Sequence, residues 1–189
     1  MRADDTDETL MLRYRDGDAR AFEALYTRHK GPLFRYLLRQ CGNTTNAEEL
    51  FQDIWFKLVR ARNGYSVKAK FTTYLYHMAH NRLIDHYRAQ ARGLPLSYSD
   101  DPDDDVLDGI PAAHHDQPDQ REDRRRQVER LLALLGMLPE AQREAFLLRE
   151  EAGLSLEEIA QATGVPPETA KSRLRYALAK LRSGMGGES

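Results

Sequence analysis

Cysteine is nearly absent from this chain: Cys41 stands alone among 189 residues, so no internal disulfide can form and a reducing compartment suits the composition. Cys41 reads as a buried or incidental thiol rather than a redox switch. Long apolar runs are missing too, and none approaches the roughly 20 residues that a membrane-spanning helix requires. The opening stretch, MRADDTDETL, is acidic where a secretory leader is basic and then apolar, so the expected location is the cytoplasm, without membrane insertion. No stretch alternates with period two for long enough to suggest a sheet. A Gly-rich phosphate loop, a zinc-spaced Cys cluster and a nucleophile beside a recognisable base are all lacking. His77 and His80 could share a helix face and His86 follows, but no second Glu-x-x-His completes a di-metal site, and His114 and His115 lie in an acidic stretch. These absences exclude the enzyme classes the sequence could have announced, and leave no catalytic residue, metal or cofactor to assign.

What is present is charge, unevenly spread. The net charge is only -2, yet residues 1–92 hold 16 Lys+Arg against 11 Asp+Glu, residues 93–123 hold 1 against 10, and residues 124–189 hold 11 against 9. A polyphosphate partner responds to the local field, because exposed charges beyond about 10 Å are largely screened at moderate salt. The near-neutral total therefore does not argue against nucleic acid. The acidic segment 93–123, with four prolines and little apolar content, reads as a flexible, disordered linker. It divides the chain into an N-terminal domain (1–92), the linker, a C-terminal domain (124–183) and a short flexible tail (184–189), and it could transiently cover a basic face.

Helical periodicity runs through both domains, predicting an all-α protein built from two small helical units. Asp18 can cap a helix carrying Ala21, Phe22, Leu25 and Tyr26, which Gly31 and Pro32 are expected to break. A second helix follows with Leu33, Phe34, Leu37 and Leu38 until Gly42; further helices are expected over 47–62 and 72–92. In the C-terminal part, Ser155 with Glu158 forms a capping box, Gly164 supplies a turn and Pro167 opens a second helix with Ala170, Leu174, Ala177, Leu178 and Leu181 in one phase. Glu168, Lys171, Ser172, Arg175 and Tyr176 point the other way, and between Lys171 and Arg182 there are five basic residues and no acidic one. A short helix, a turn and a second helix with a basic outer face fit the DNA major groove, where Arg and Lys reach guanine edges.

Residues 138–182, LPEAQREAFLLREEAGLSLEEIAQATGVPPETAKSRLRYALAKLR, resemble region 4 of the extracytoplasmic-function (ECF) sigma factors of the sigma-70 family. The resemblance implies that the second helix recognises the minus-thirty-five promoter element, with Lys171, Ser172 and Arg175 near bases, Thr169 and Arg173 on phosphates and Tyr176 beside them. Glu168 and Tyr176 stand where that family usually has glycine and often arginine. AEELFQDIWFKL, residues 47–58, resembles region 2.2, which implies docking of Glu49, Gln52 and Asp53 on the clamp helices of the RNA polymerase largest subunit, while Phe51, Trp55, Leu58 and Val59 form core. FTTYLYHMAHNRLIDHYRAQAR, residues 71–92, resembles regions 2.3 and 2.4, the part that opens and captures the minus-ten element. There the resemblance implies Asn81 on an extruded base, with Lys68, Lys70, His80, Arg82, Arg88 and Arg92 along the strands and Tyr74 in the place of a tryptophan. Independently of any family, Phe56 to Arg92 contains eight Lys+Arg, one acidic residue and interleaved Tyr74, Tyr76 and Tyr87, a mixture suited to phosphates and unstacked bases.

The resemblance further implies RNA polymerase core, through its clamp helices and its flap, promoter DNA and an anti-sigma factor as partners. The competing reading is a helix-turn-helix regulator that never joins core polymerase.

Overall fold

The computed structural model describes residues 5–93 and 118–186. All regular elements among them are helical: α1 (Asp7–Arg15), α2 (Ala19–Cys41), α3 (Thr44–Ala61), a 3-10 turn (Arg62–Gly64) and α4 (Phe71–Ala91), then α5 (Pro118–Gly136), α6 (Glu140–Glu150), α7 (Leu156–Thr163) and α8 (Pro167–Met185). The all-α expectation therefore holds, and no described helix is long and apolar enough to cross a membrane.

The N-terminal helices form where apolar spacing and caps agree. The α1 helix, not foreseen from the sequence, buries Leu10, Met11 and Tyr14 and is capped by Thr6. Asp18 caps α2 as expected, accepting from the N–H groups of Arg20 and Ala21. The expected break at Gly31 and Pro32 does not occur: α2 runs unbroken to Cys41 with Pro32 inside it. An interior proline removes one backbone hydrogen bond and costs about 3 kcal/mol, but Leu25 on one side and Leu33, Tyr36 and Leu37 on the other are fully buried, and their packing outweighs it. Asn43 caps α3, so that helix starts at Thr44 rather than 47. The Trp55 ring lies 4.9 Å from Tyr26 and 5.8 Å from Phe22, both edge-on, and locks α3 to α2. No side chain of Lys70 caps α4; Glu8 of α1 does so instead, accepting from the Phe71 N–H at 2.6 Å.

In the C-terminal domain α5 begins at Pro118, six residues inside the segment read as linker. Proline suits a first helical position, and Glu122–Arg126 and Arg125–Glu129 ion pairs at i, i+4 support a helix that composition alone had hidden. Of the remainder of the expected linker, Gly93 forms a turn after α4 and residues 94–117 lie outside the described residues. Ser155 and Glu158 make the expected reciprocal capping box, Gly164 adopts φ +67°, and Pro167 opens α8. The α8 helix continues to Met185, past the expected end at 183, because Gly184 lets it close on Leu134 of α5, where a Cβ would collide.

The two domains also meet directly. Glu144 of α6 accepts hydrogen bonds from the Tyr36 hydroxyl and from His80 Nδ1, each at 2.8 Å. Glu151 accepts from Arg35 Nε at 2.9 Å and pairs with Arg39. Arg143 Nε donates to Gln40 Oε1 at 2.9 Å, Lys70 Nζ lies 2.6 Å from Glu158, and His77 Nδ1 donates to the Ala162 carbonyl at 3.0 Å. None of these contacts was expected.

Candidate nucleic-acid interface

The first surface is the outer face of α8. Buried Ala170, Ala177 and Leu181 hold the helix against its own domain, which turns Lys171, Arg175 and Tyr176 fully outward and leaves Thr169, Ser172 and Arg173 half-buried beside them. The Arg175 guanidinium sits 5.1 Å over the Tyr176 ring, so the tyrosine orders the arginine rather than standing apart from it. Lys171 lies at 4.0 Å from Glu168, one turn earlier, an exposed pair worth little in water. All six residues expected there share this helix, and its exposed side lacks acidic groups after Glu168.

The second surface is α4 with the loop before it. Leu75, Tyr76, Met78, Ala79 and Leu83 are buried, while Arg88 and Arg92 are exposed toward one end and Lys68 and Lys70 toward the other. Between them the structure brings the expected residues into other engagements. Asn81 donates to His77 Nε2 at 3.1 Å, and that ring's other nitrogen bonds the Ala162 carbonyl. His80 is held by Glu144 and Lys70 by Glu158. Arg82 is turned onto α3, its Nε 2.8 Å from Asp53 and its Nη2 3.6 Å from Glu49. It therefore links the expected DNA set to the expected polymerase set rather than projecting alone.

Beside α4 a cavity of about 300 Å³ is lined by Tyr65, Lys68, Thr73, Tyr74 and His77, with Gln161 of α7. Tyr65 and Tyr74 pack edge-on at 5.3 Å. Burial pushes the Tyr65 phenol up to about 12 and raises Tyr74 as well, so both stay protonated donors at neutral pH. The hydroxyls of Tyr65 and Thr73 are buried with no hydrogen-bond partner, a costly state unless something else completes it. Sequence reasoning missed Tyr65, Thr73 and His77 here. The available signal was an aromatic residue in the polar loop just ahead of Lys68.

A third surface lies on α3, where Glu49 and Gln52 are exposed and Asp53 is half-buried beneath Arg82. Trp55 and Leu58 are buried and Phe51 and Val59 partly so, as expected for core. A groove lined by Tyr26, Phe34 and Phe51, with Glu48 and Gln52 at its rim, runs alongside. Phe56, exposed on the same helix, is an apolar group the sequence reading had not singled out.

With this geometry in place, the chain can be set beside known proteins. Residues 25–93 match the family model described as Sigma-70 region 2, and residues 128–181 match Sigma-70, region 4. The chain is 31% identical over 176 residues to the RNA polymerase sigma factor CarQ of Myxococcus xanthus, covering 93% of this chain and 95% of that one. It is 29% identical over 175 residues to the RNA polymerase sigma-H factor of Pseudomonas aeruginosa, covering 92% and 91%. Its fold is similar to that of CnrH solved in complex with the cytosolic domain of CnrY, at a TM-score of 0.68 and 22% identity, covering 98% of this chain and all of the other. It is also similar to the sigma factor RpoE of Bartonella quintana solved with the anti-sigma factor NepR, at a TM-score of 0.68 and 19% identity over 90% of this chain. The two helical units built here from capping, turn chemistry and packing are thus regions 2 and 4, and the chain belongs to the sigma-70 family as an ECF-type sigma factor.

Proposed function

We propose that this protein binds RNA polymerase core and directs it to promoters, with α8 on the minus-thirty-five element and α4 with its preceding loop on the minus-ten element. The observation that carries this reading is the pairing of two different nucleic-acid surfaces in one chain. One is a helix-turn-helix whose outer face presents Lys171 and Arg175 without a neighbouring acid after Glu168; the other is a basic helix beside an aromatic cavity. A regulator that only binds duplex DNA has use for the first and none for the second.

The division of labour follows from chemistry. Lys171, Ser172 and Arg175 reach base edges in the major groove, with Thr169 and Arg173 on phosphates. Lys68, Arg88 and Arg92 neutralise strand phosphates, while an unstacked base enters the cavity beside the packed Tyr65 and Tyr74 rings, with Lys68 and His77 on its wall. Asn81 reads a base once it leaves His77. Glu49, Gln52 and Asp53 dock on the polymerase clamp helices with Arg82 holding the two carboxylates in place, and the region 4 domain meets the flap. An anti-sigma factor is the expected inhibitory partner; the two structural neighbours of similar fold were solved with CnrY and with the anti-sigma factor NepR.

The test is transcription from genomic templates with core polymerase plus this protein. Specific initiation, lost on substitution of Glu49 and Asp53, is the expected result. No initiation on any template, together with no stable complex with core, refutes the assignment.

A further inference from the structure

The loop between the 3-10 turn and α4 carries much of the candidate strand surface and little structure of its own. Tyr65, Ser66, Lys68 and Ala69 line the cavity, and Lys68 and Lys70 belong to the set expected on strand phosphates. Among the described residues, no backbone–backbone hydrogen bond engages residues 66–69, and a segment without such bonds opens easily unless other contacts hold it. Both of its ends are held by α1. At the start, Arg15 Nη1 donates to the Tyr65 carbonyl at 3.2 Å, and the Arg62 guanidinium just ahead stands 5.3 Å over the Tyr14 ring. At the other end Glu8 Oε1 accepts from the Phe71 N–H at 2.6 Å; Phe71 is fully buried, and Lys70 supplies no side-chain cap. Glu8 and Arg15 are seven residues apart on α1, about 10 Å along one face, so a single rigid element sets the separation of the loop's ends. The helix is itself fastened to α2: Leu10, Met11 and Tyr14 are buried, and Asp7 accepts from Arg28 at 2.8 Å and pairs with His29 at 2.7 Å. Glu8 and Arg15 lie half-buried outside that anchored face, and α1 lies ahead of the stretch matched to region 2.

We propose that Glu8 and Arg15 are positioning residues for strand capture: acting through the loop backbone, without meeting DNA, they hold Tyr65 and Lys68 in the arrangement that gives the cavity its shape and hence its choice of base. The proposal rests on the strand-capture reading of that cavity given above. Chemistry makes positioning separable from charge. Selection among bases depends on where the cavity wall stands, whereas attraction to phosphates depends on nearby charge and is the same for every sequence. Losing Glu8 removes a negative charge beside the loop, which by charge alone favours any strand. Losing its hydrogen bond frees the start of α4 and the loop with it, which costs selectivity.

The experiment uses holoenzyme assembled from core polymerase and the full chain. One probe is a single-stranded DNA enriched on that holoenzyme from a random-sequence pool, and the other is the starting pool. Fluorescence anisotropy gives the two affinities, and their ratio is the selectivity, from which a uniform change of charge cancels. Glu8→Ala and Arg15→Met are each expected to lower the ratio about tenfold, the scale of a hydrogen bond to a charged partner, with core binding unchanged. Glu8→Ala should bind the unselected pool as well as before or better. In Glu8→Gln the amide oxygen still accepts from the Phe71 N–H, so the ratio should recover. Ratios unchanged in both Glu8→Ala and Arg15→Met overturn the proposal, and so does a loss in Glu8→Gln equal to that in Glu8→Ala, which assigns the effect to charge. Should Glu8→Ala lose core binding as well, Arg15→Met, acting at the loop's other end, decides alone. Enrichment of no strand by the unsubstituted holoenzyme overturns the strand-capture reading and this inference with it, whereas enrichment with a selectivity that both variants preserve overturns this inference alone.

Discussion

Replacing Arg175 with alanine separates base reading from simple charge attraction. The side chain is exposed on α8, its guanidinium lies over Tyr176, and no described ion pair involves it. The helix is anchored through Ala170, Ala177 and Leu181 on the opposite side, and alanine is the best helix former, so stability should hold. The loss then falls on DNA. A bidentate contact to a guanine edge is worth about 1 to 3 kcal/mol of discrimination, which corresponds to about 5- to 150-fold in affinity. A phosphate contact contributes equally to every sequence and lowers the slope of log affinity against log salt by about one. The assay is fluorescence anisotropy on a duplex selected from a random pool and on an unselected duplex, each at two salt concentrations. Arg175→Ala should lose affinity on the selected duplex alone, with Arg173→Ala losing it on both. Equal losses on the two duplexes from Arg175→Ala would refute base reading and demote it to a backbone contact.

Other perturbations probe the fold and the cavity. Tyr65→Phe removes a buried hydroxyl that has no partner, so denaturant stability should stay level or rise by up to about 1 kcal/mol; a loss of stability would mean the hydroxyl is satisfied. Gly164→Ala keeps open space around the new Cβ but forces it to φ +67°, a strain of about 1 kcal/mol that should lower the unfolding midpoint without altering the capping box ahead of it. Acid sensitivity has a defined sign. Burial raises the Asp7 carboxyl, but hydrogen bonds from His29 and Arg28 outweigh it and hold it below 3.8, and Lys70 with the Ser155 N–H holds Glu158 below 4.5. Stability from these groups is present above those ordinary values and lost as pH falls through the lower folded ones, so Asp7→Asn should flatten the decline in urea midpoint below about pH 4.

The parts of the fold legible in advance were those written in short spacings. Ser155 and Glu158 are three residues apart, Gly164 precedes Pro167 by three, and the phase of Ala170, Leu174, Ala177, Leu178 and Leu181 needs only a helical wheel; the structure reproduces the cap and the turn, buries Ala170, Ala177 and Leu181, packs Leu174 partly against the core and leaves Leu178 half-buried outside it. Pro32 misled for the same reason. Its local preference is to end a helix, and the burial of Leu33, Tyr36 and Leu37 that overrides it is a tertiary fact. The start of α5 was hidden because acidic, proline-bearing composition suits a linker until the i, i+4 pairing of Glu122 with Arg126 is considered. The candidate residues on α8 share one helix as the sequence places them, whereas the surroundings of those on α4 depend on distant parts of the chain. Nothing in the spacing of Arg82 says that it turns toward Asp53, 29 residues away, or that His80 meets Glu144 across 64.

The two candidate nucleic-acid surfaces differ in burial, and the difference bears on which can be met first. The outer face of α8 stays open while the domains are together, with Lys171, Arg175 and Tyr176 all exposed. The α4 face is instead held by Glu144, Glu158 and the Ala162 carbonyl, all carried by the very domain that owns α8. A duplex can therefore meet the helix-turn-helix without disturbing the contacts between the domains, whereas any ligand of Lys70, His80 or Asn81 must compete with the partners these side chains already have there.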